Sequence, residues 1–156
     1  MSKNIRQATE NDFEAVKKIT QETIHAVYPK YYPEGAVRFF SEHHADEKIM
    51  RDINAGIVYL VVSDDGVPAG TVTLTDNEVD RLFVLPEYQG SGYGRALLDF
   101  AEDAIFASYD VSMLHASLPA KSIYLKRGYR EVDYLKIDTG YGDFLCADVM
   151  EKRKCD

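Results

Sequence analysis

The amino-acid sequence predicts one α/β (α+β) domain with a mixed β-sheet, and three observations lead to that class. The chain has 156 residues, which suits one domain built around one hydrophobic core. Segments with strand-like patterns interleave with segments of helical periodicity, in the order βαα-βββ-α-β-α-ββ. No internal repeat, low-complexity segment or linker interrupts this order, so the predicted domain spans residues 1–156.

The first third of the chain is predicted to contain a strand followed by two helical regions. Thr9 can cap the first helix, and Asp12 stands three residues later as its capping-box partner. Pro29 and Pro33 oppose continuation of that helix, and Gly56 is placed to end the second helical region. The predicted bounds are a strand at 5–8, a helix at 9–27, and a helical region at 34–54 that divides near 43–46.

The rest of the chain is predicted to hold three strands, a long helix, a strand, a short helix and two closing strands. Asp64-Asp65-Gly66 is a strong signal for a hairpin turn between the first two of these strands. Pro119 suits the first turn of the short helix, and Gly128 suits its end. The predicted strands cover 57–63, 69–75, 78–85, 111–117, 129–137 and 144–150. The long helix covers 92–108 and is expected to bury Ala96, Leu97, Phe100, Ala104 and Phe106.

The charge balance argues against nucleic acid as a partner. The formal net charge is -8, from 26 acidic and 18 basic residues. Binding to nucleic-acid phosphates needs clustered lysine and arginine, which an acidic chain of this kind does not offer. The same balance favours neutral or cationic partners.

The apolar and cysteine content indicates a cytoplasmic protein with no membrane partner and no metal. No apolar run approaches the roughly 18 residues that a membrane span needs, and the N-terminal segment has no apolar stretch typical of a secretory signal. Cys146 and Cys155 are therefore expected to be reduced thiols, the first in the core and the second exposed. His43 and His44 are adjacent and would point apart on a helix, so they do not form a metal-ligand pair.

The segment Val84–Leu98, VLPEYQGSGYGRALL, places three glycines between a strand and a helix. A dinucleotide-binding loop requires glycine where this chain has Arg95, and a P-loop requires lysine and serine or threonine after its last glycine. A third interpretation is a metal-free pyrophosphate loop, in which unpaired N–H groups at the helix N-terminus bind the anion beside Arg95. A strand-to-helix turn that uses glycine only for its backbone freedom explains the loop equally well.

Two motifs at their usual separation resolve this choice. The first is Val84-Leu-Pro86 followed by Gln89-Gly-Ser-Gly92-Tyr-Gly94, and the second is Ala120-Lys-Ser-Ile-Tyr124-Leu-Lys126-Arg-Gly128-Tyr129. With the opening Arg6-Gln-Ala-Thr9 and Asp12, they resemble the GCN5-related N-acetyltransferase (GNAT) superfamily over nearly the whole chain. The resemblance implies a mixed, mostly antiparallel central sheet flanked by helices.

The resemblance also implies that acetyl-CoA is the cosubstrate. The strand before the loop would carry a bulge, and the backbone of Leu82, Phe83 and Val84 would pair with the pantetheine arm. The N–H of Leu82 would polarise the thioester carbonyl. Ser117 stands where an asparagine often contacts the cofactor, and its hydroxyl can still donate and accept. The pyrophosphate would lie against the N–H groups of Gln89, Gly90, Ser91, Gly92, Tyr93, Gly94 and Arg95.

Two further roles follow from the family's chemistry. Tyr124 would protonate the leaving thiolate, since a phenol with a pKa of about 10 is a reasonable acid for a thiolate of similar basicity. Glu78 falls where several family members carry a base that takes the amine's proton directly or through water. Asp80 lies two residues away on the same face of the strand and is the second choice. Either Tyr124 or the two acids could instead be structural, the tyrosine in the core and the acids solvating a strand end.

The acceptor side is the least recognisable part of the sequence. Tyr28, Tyr31 and Tyr32, together with Tyr141, could line an aromatic slot that suits an amine, with Glu22 or Asp138 as nearby acids, or could simply cover the core. Asp80 is a further candidate for binding the acceptor. The expected activity is transfer of an acetyl group to a primary amine of a small molecule. The alternatives are a non-catalytic acyl-CoA-binding regulatory module and acetylation of a peptide or protein amine. The resemblance also allows a homodimer.

Overall fold

The computed structural model describes residues 3–155, and within them the chain forms seven strands and five α-helices in the predicted order. The first two residues and the last residue of the predicted 1–156 domain lie outside the described residues. The elements are β1 (Asn4–Gln7), α1 (Phe13–Val27), α2 (Glu34–His43), α3 (Asp46–Asn54), β2 (Val58–Val62), β3 (Pro68–Thr75), β4 (Glu78–Val84), α4 (Tyr93–Phe106), β5 (Val111–Ala116), α5 (Lys121–Lys126), β6 (Arg130–Asp138) and β7 (Phe144–Arg153).

All seven described strands form one sheet in the order β1-β2-β3-β4-β5-β7-β6. Every neighbouring pair is antiparallel except β4 and β5, which run parallel and pair at a single position, Glu78 with Met113. Asn77 reinforces this junction, because its carbonyl accepts a bond from the Met113 N–H (2.9 Å) and its amide donates to the Val111 carbonyl (3.1 Å). Beyond the junction the two strands diverge toward their carboxyl ends. The predicted mixed, mostly antiparallel sheet is confirmed.

Two apolar layers cover the two faces of the sheet. On one face, Val16, Ile19 and Ile24 of α1 pack with residues of α2 and α3. On the other face, α4 and α5 contribute the buried Leu97 and Tyr124. No helix within residues 3–155 is both long and apolar enough to cross a membrane.

The predicted buried stripe of the long helix is partly wrong. Leu97 is buried as expected, but Ala104 is exposed, and Ala96, Phe100 and Phe106 are half-buried. The residues that face the sheet follow spacings of three and four residues from the first turn onward: Tyr93, Leu97, Leu98, Ala101 and Ile105. The predicted set of buried residues therefore lies partly on a different face of the helix from the one that contacts the sheet.

The two cysteines differ from their predicted environments in one respect. Both are free thiols, and Cys155 is exposed as expected. Cys146 is only half-buried, because it lies on β7 next to the edge strand β6, most of whose residues are exposed. The apolar run of β7 thus contributes less to the core than its sequence predicts.

The predicted capping box starts the first helix. The Thr9 N–H donates to Asp12 Oδ2 at 2.8 Å, and a 3₁₀ turn over Glu10–Asp12 leads into α1. Both Asp12 oxygens also accept hydrogen bonds from the Arg6 guanidinium at 2.8 Å. The hydrogen bonding to Arg6 is the main reason that the pKa of Asp12 is lowered to about 2, and the bond from the Thr9 N–H contributes less. The cap therefore joins β1 to α1 while Asp12 remains ionised.

A β-bulge interrupts β4 in its middle. Thr73 of β3 pairs with Asp80 and Thr71 pairs with Phe83, so Arg81 and Leu82 together stand opposite one residue of β3. Arg81 has φ +42°, a left-handed conformation that costs a non-glycine residue roughly 1–2 kcal/mol. The bulge reverses the alternation of the strand, so that Val79 packs with α4 whereas Phe83 packs with α1.

Candidate active site

A cavity of about 770 Å³ opens where β4 and β5 diverge. Its walls are the end of β4, the glycine loop with the start of α4, the segment after β5, and α5. Clefts at the carboxyl ends of diverging parallel strands are common ligand sites, and this volume lies in the range of small-molecule sites, about 300–1,000 Å³.

The glycine loop presents bare backbone to this cavity. Gly90 and Gly92 have φ values of +79° and +89°, conformations that favour glycine. Gly92 is the N-cap of α4, so the first N–H groups of that helix have no acceptor within it. Gly94 has an ordinary backbone, and a β-carbon there would meet only the Val84 side chain at 3.7 Å. The missing side chain at Gly94 therefore leaves space beside the helix N-terminus.

The free edge of β4 offers peptide groups to the same cavity. The Leu85 N–H donates to the Ala69 carbonyl of β3 at 2.9 Å, and peptide groups alternate between the two edges of a strand. The peptide groups of Leu82 and Val84 therefore face the gap, whereas those of Phe83 face β3. Accordingly, the Val84 carbonyl accepts side-chain bonds from Gln89 (2.9 Å) and Thr23 (3.3 Å). Phe83 thus contributes wall atoms to the cavity but not the backbone pairing expected from the sequence.

Tyr124 of α5 lines the cavity at the side opposite β4. Its side chain is buried, and its ring packs edge-on against Tyr129 with centroids 5.7 Å apart. Burial raises the pKa of Tyr124 well above the ordinary tyrosine value, so the hydroxyl keeps its proton at neutral pH. No residue within the described chain hydrogen-bonds to this hydroxyl. Tyr124 can therefore direct its proton to a ligand.

Ser117 and Tyr28 complete this wall. Ser117 follows β5 directly, lines the cavity and lies beside the Tyr28 hydroxyl. Lys126 and Arg127 at the end of α5 line the cavity together with Arg95 of α4. Arg95 and Lys126 suit an anionic ligand near the glycine loop, whereas Arg127 is already paired with Glu102 and Asp99. Of these side chains, the sequence analysis assigned a role only to Arg95.

The two predicted acids lie at the apex of the divergence rather than in the cavity wall. Glu78 is half-buried, and its Oε1 lies 3.7 Å from His115 Nδ1. Burial, followed by the charge of Asp80, raises the pKa of Glu78. Burial also acts to raise the pKa of Asp80, but the charges of Lys48 and Arg81 and the bond from the Arg81 N–H outweigh burial and lower it. Glu78 is consequently the better proton acceptor of the two near neutral pH.

The sequence did not predict several basic side chains that gather around these acids. Lys48 Nζ lies 3.8 Å from Asp80 Oδ2, and His43 lies near Lys48 and Asp80. The buried His44 contacts both Arg81 and the ring of Phe83. The alternation of side chains along β5 could have identified His115 as a neighbour of Glu78 only if the pairing of β5 with β4 had been known. Among the described residues, no group of three or more His, Cys, Asp or Glu side chains is arranged to hold a metal.

The structure separates one of the three tyrosines that the sequence grouped from the other two. Tyr28 and Tyr32 are buried, contact each other and pack edge-on against Phe40, whereas Tyr31 is 50% exposed. Only Tyr28 of the three lines the cavity. The Tyr32 hydroxyl accepts a hydrogen bond from the Leu118 N–H at 2.6 Å and so fixes the segment after β5. The three residues therefore do not line this cavity together.

One divergent parallel strand pair, a glycine loop at a helix N-terminus and a phenol across the gap thus surround one cavity. The family model described as the acetyltransferase (GNAT) domain matches residues 27–143. This match covers well over half of the chain, so the protein belongs to the GNAT acetyltransferase family.

Solved structures with the same fold extend along nearly the whole chain. A GCN5-related N-acetyltransferase from Rhodopseudomonas palustris is 22% identical with a TM-score of 0.88, over 98% of this chain and 96% of that one. The PaiA N-acetyltransferase from Thermoplasma acidophilum, in complex with coenzyme A, is 23% identical with a TM-score of 0.74, over 98% and 99%. A phosphinothricin acetyltransferase from Sinorhizobium meliloti, in complex with acetyl-CoA, is 15% identical with a TM-score of 0.72, over 98% and 89%. No curated protein sequence matches.

Proposed function

We propose that this protein transfers an acetyl group from acetyl-CoA to a primary amine of a small molecule, by direct attack of the amine on the thioester. The observation that carries the proposal is the continuous cavity from the glycine loop, past the free edge of β4, to Tyr124. The acidic chain suits a cationic or neutral acceptor. The proposal places the protein in the cytoplasm, as the sequence predicts.

The residues along the cavity fit acetyl-CoA, which would supply an activated acetyl group. The N–H groups from Gln89 to Arg95 would bind the diphosphate, and Gly94 leaves room for its approach. Arg95 and Lys126 would add positive charge. The coenzyme A and acetyl-CoA complexes of the two structural relatives support the same ligand class here.

The chain's own groups can carry each part of the reaction. The Leu82 N–H, facing the gap, would stabilise the negative charge that develops on the thioester oxygen. Glu78 would take the proton released by the amine nitrogen, directly or through water, as the nitrogen–carbon bond forms. Tyr124 would give its proton to the sulfur as the carbon–sulfur bond breaks. Ser117 would help to orient the ligand between β5 and α5.

A binding and turnover experiment tests this function. Calorimetry is expected to detect binding of acetyl-CoA and CoA, and a panel of polyamines, aminoglycosides, amino acids and peptides is expected to yield thiol release with a small amine. Binding without release across the whole panel would favour a non-catalytic acyl-CoA-binding module. Release with peptides alone would favour a peptide or protein amine as the acceptor, and absence of binding would refute the proposal.

Replacing Glu78 with glutamine is expected to lower kcat by about tenfold or more and to change the pH profile. Because the pKa of Glu78 is raised, the base form is lost as the pH falls through that value, and wild-type activity should fall with it. The Glu78→Gln variant should lack this low-pH decline. The profile would be measured as kcat against pH, with Glu14→Gln as an exposed acid control on α1. A decline identical to that of the wild type would exclude Glu78 as the base.

A further inference from the structure

The bulge in β4 is held in a conformation that its own residue disfavours. Arg81 has a positive φ, and such conformations persist at non-glycine residues where the surrounding structure holds them in place. The Arg81 N–H donates to the Asp80 carboxylate at 2.8 Å, which supports the turn locally. This single, partly buried contact does not fix the direction of the next peptide group.

The Arg81 side chain supplies the remaining support. It is fully buried, and its guanidinium binds three partners, one on α3, one on β3 and one in the loop between α2 and α3. Nη2 donates to Asp52 Oδ2 of α3 at 2.8 Å, and Nη1 donates to Thr73 Oγ1 of β3 at 3.0 Å. Nε donates to His44 Nδ1, between α2 and α3, at 3.4 Å. These bonds fix the orientation of a planar group as well as its position.

The histidine contact requires a neutral ring, and the surroundings of His44 keep it neutral. Burial, together with the charge of Arg81, lowers the pKa of His44 to about 3. The unprotonated Nδ1 is therefore free to accept the Nε–H of Arg81 at neutral pH. All three guanidinium contacts can thus exist together.

Leu82 follows directly, and its N–H is the group that faces the divergence of β4 and β5. We propose that Arg81 is a positioning residue: its guanidinium, bound by Asp52, His44 and Thr73, fixes the bulge so that the Leu82 N–H points at the thioester oxygen. This inference rests on the proposed function. It assigns the side chain of the bulge residue to the alignment of a backbone donor that no side-chain substitution can remove directly.

Stability alone does not account for this arrangement. A buried ion pair gains little over a well-packed apolar pair, because both charges lose their hydration. An apolar residue at position 81 would fill the same space without a partner on α3. An apolar residue could not join the bulge to α3, to β3 and to His44 through directional hydrogen bonds.

The test uses acetyl-CoA labelled with ¹³C at the thioester carbonyl. In wild-type protein the bound carbonyl stretch is expected at lower frequency than in free acetyl-CoA, because a hydrogen bond polarises it. The paired replacement Arg81→Met with Asp52→Asn removes the anchor without leaving a lone buried charge. It should lose most of this shift, keep the acetyl-CoA Kd within about threefold, and lower kcat by about tenfold to a hundredfold on an accepted amine.

A matched control and a milder variant keep the test decisive. Arg51→Gln removes an exposed arginine next to Asp52 and should retain the wild-type shift and kcat. If the paired variant does not fold, Asp52→Asn alone should reduce the shift. A wild-type shift in either folded variant would overturn the inference, as would a bound wild-type carbonyl without a shift. Failure of wild-type protein to bind acetyl-CoA would instead refute the proposed function.

Discussion

The Tyr124→Phe variant is expected to lose at least about tenfold in kcat while its affinity for acetyl-CoA stays nearly unchanged. Tyr124 is buried against Tyr129, and a phenylalanine ring can keep that packing. Only the hydroxyl is removed, and within the described chain that hydroxyl has no hydrogen-bond partner to leave unpaired. Burial raises the pKa of Tyr124, so the hydroxyl is protonated at neutral pH, although it is a weaker acid than the ordinary tyrosine value assumed from the sequence would make it.

Steady-state kinetics with an accepted amine and calorimetry with acetyl-CoA would measure the two quantities separately. Tyr109→Phe, at a partly exposed tyrosine after α4, is the matched control and should behave as wild type. Equal turnover in Tyr124→Phe and the control would remove Tyr124 from proton transfer. A large loss of acetyl-CoA affinity would show that the hydroxyl acts in binding instead.

Replacing Glu102 with alanine is expected to lower the free energy of unfolding by about 2–4 kcal/mol and Tm by about 5–15 °C. Glu102 is a buried carboxylate of α4 that binds Lys152 Nζ at 2.8 Å and Arg127 Nε at 2.5 Å. It also accepts a bond from the Tyr129 hydroxyl at 3.3 Å. Its loss would remove the carboxylate between these two cations and would weaken the attachment of α4 to β7 and to the end of α5, where Asp99 would remain as a partner of Arg127.

Thermal and urea denaturation would measure this change. Asp103→Ala removes the exposed acid next along the same helix and should change stability by no more than about 0.5 kcal/mol. Equal stability of the two variants would contradict the role assigned to Glu102. Because α4 carries the glycine loop and α5 carries Tyr124, weaker acetyl-CoA binding is expected to accompany the loss of stability.

Features that depend on neighbouring residues could be predicted from the sequence. The hairpin at Asp64-Asp65-Gly66, the cap at Thr9 and the glycine loop each follow from local backbone chemistry. The element order and the family also follow, because two local motifs stand at a fixed separation. The prediction of Glu78, Leu82 and Tyr124 as site residues remains open to the experiments described above.

Features that depend on pairing between distant segments could not be predicted. The contact of Glu78 with His115 exists because β4 and β5 meet at one position, which periodicity does not reveal. The Arg81 anchor draws on α3, whose approach to the bulge leaves no pattern in the sequence. The tyrosines near Pro29 were grouped because they are close in sequence, yet the structure buries Tyr28 and Tyr32 in contact with each other and leaves Tyr31 exposed.

The single joint at Glu78 and Met113 has a mechanical consequence. It divides the sheet into two antiparallel blocks, β1 to β4 and β5 to β7. Within the sheet these blocks are joined at one ladder position and by the two Asn77 hydrogen bonds, and α4 packs across both. A molecule seated in the cleft touches both blocks, so its binding energy opposes their separation. A bound cosubstrate would then stabilise the contact between the two blocks. Without it, local opening between β4 and β5 should precede unfolding of the rest of the protein.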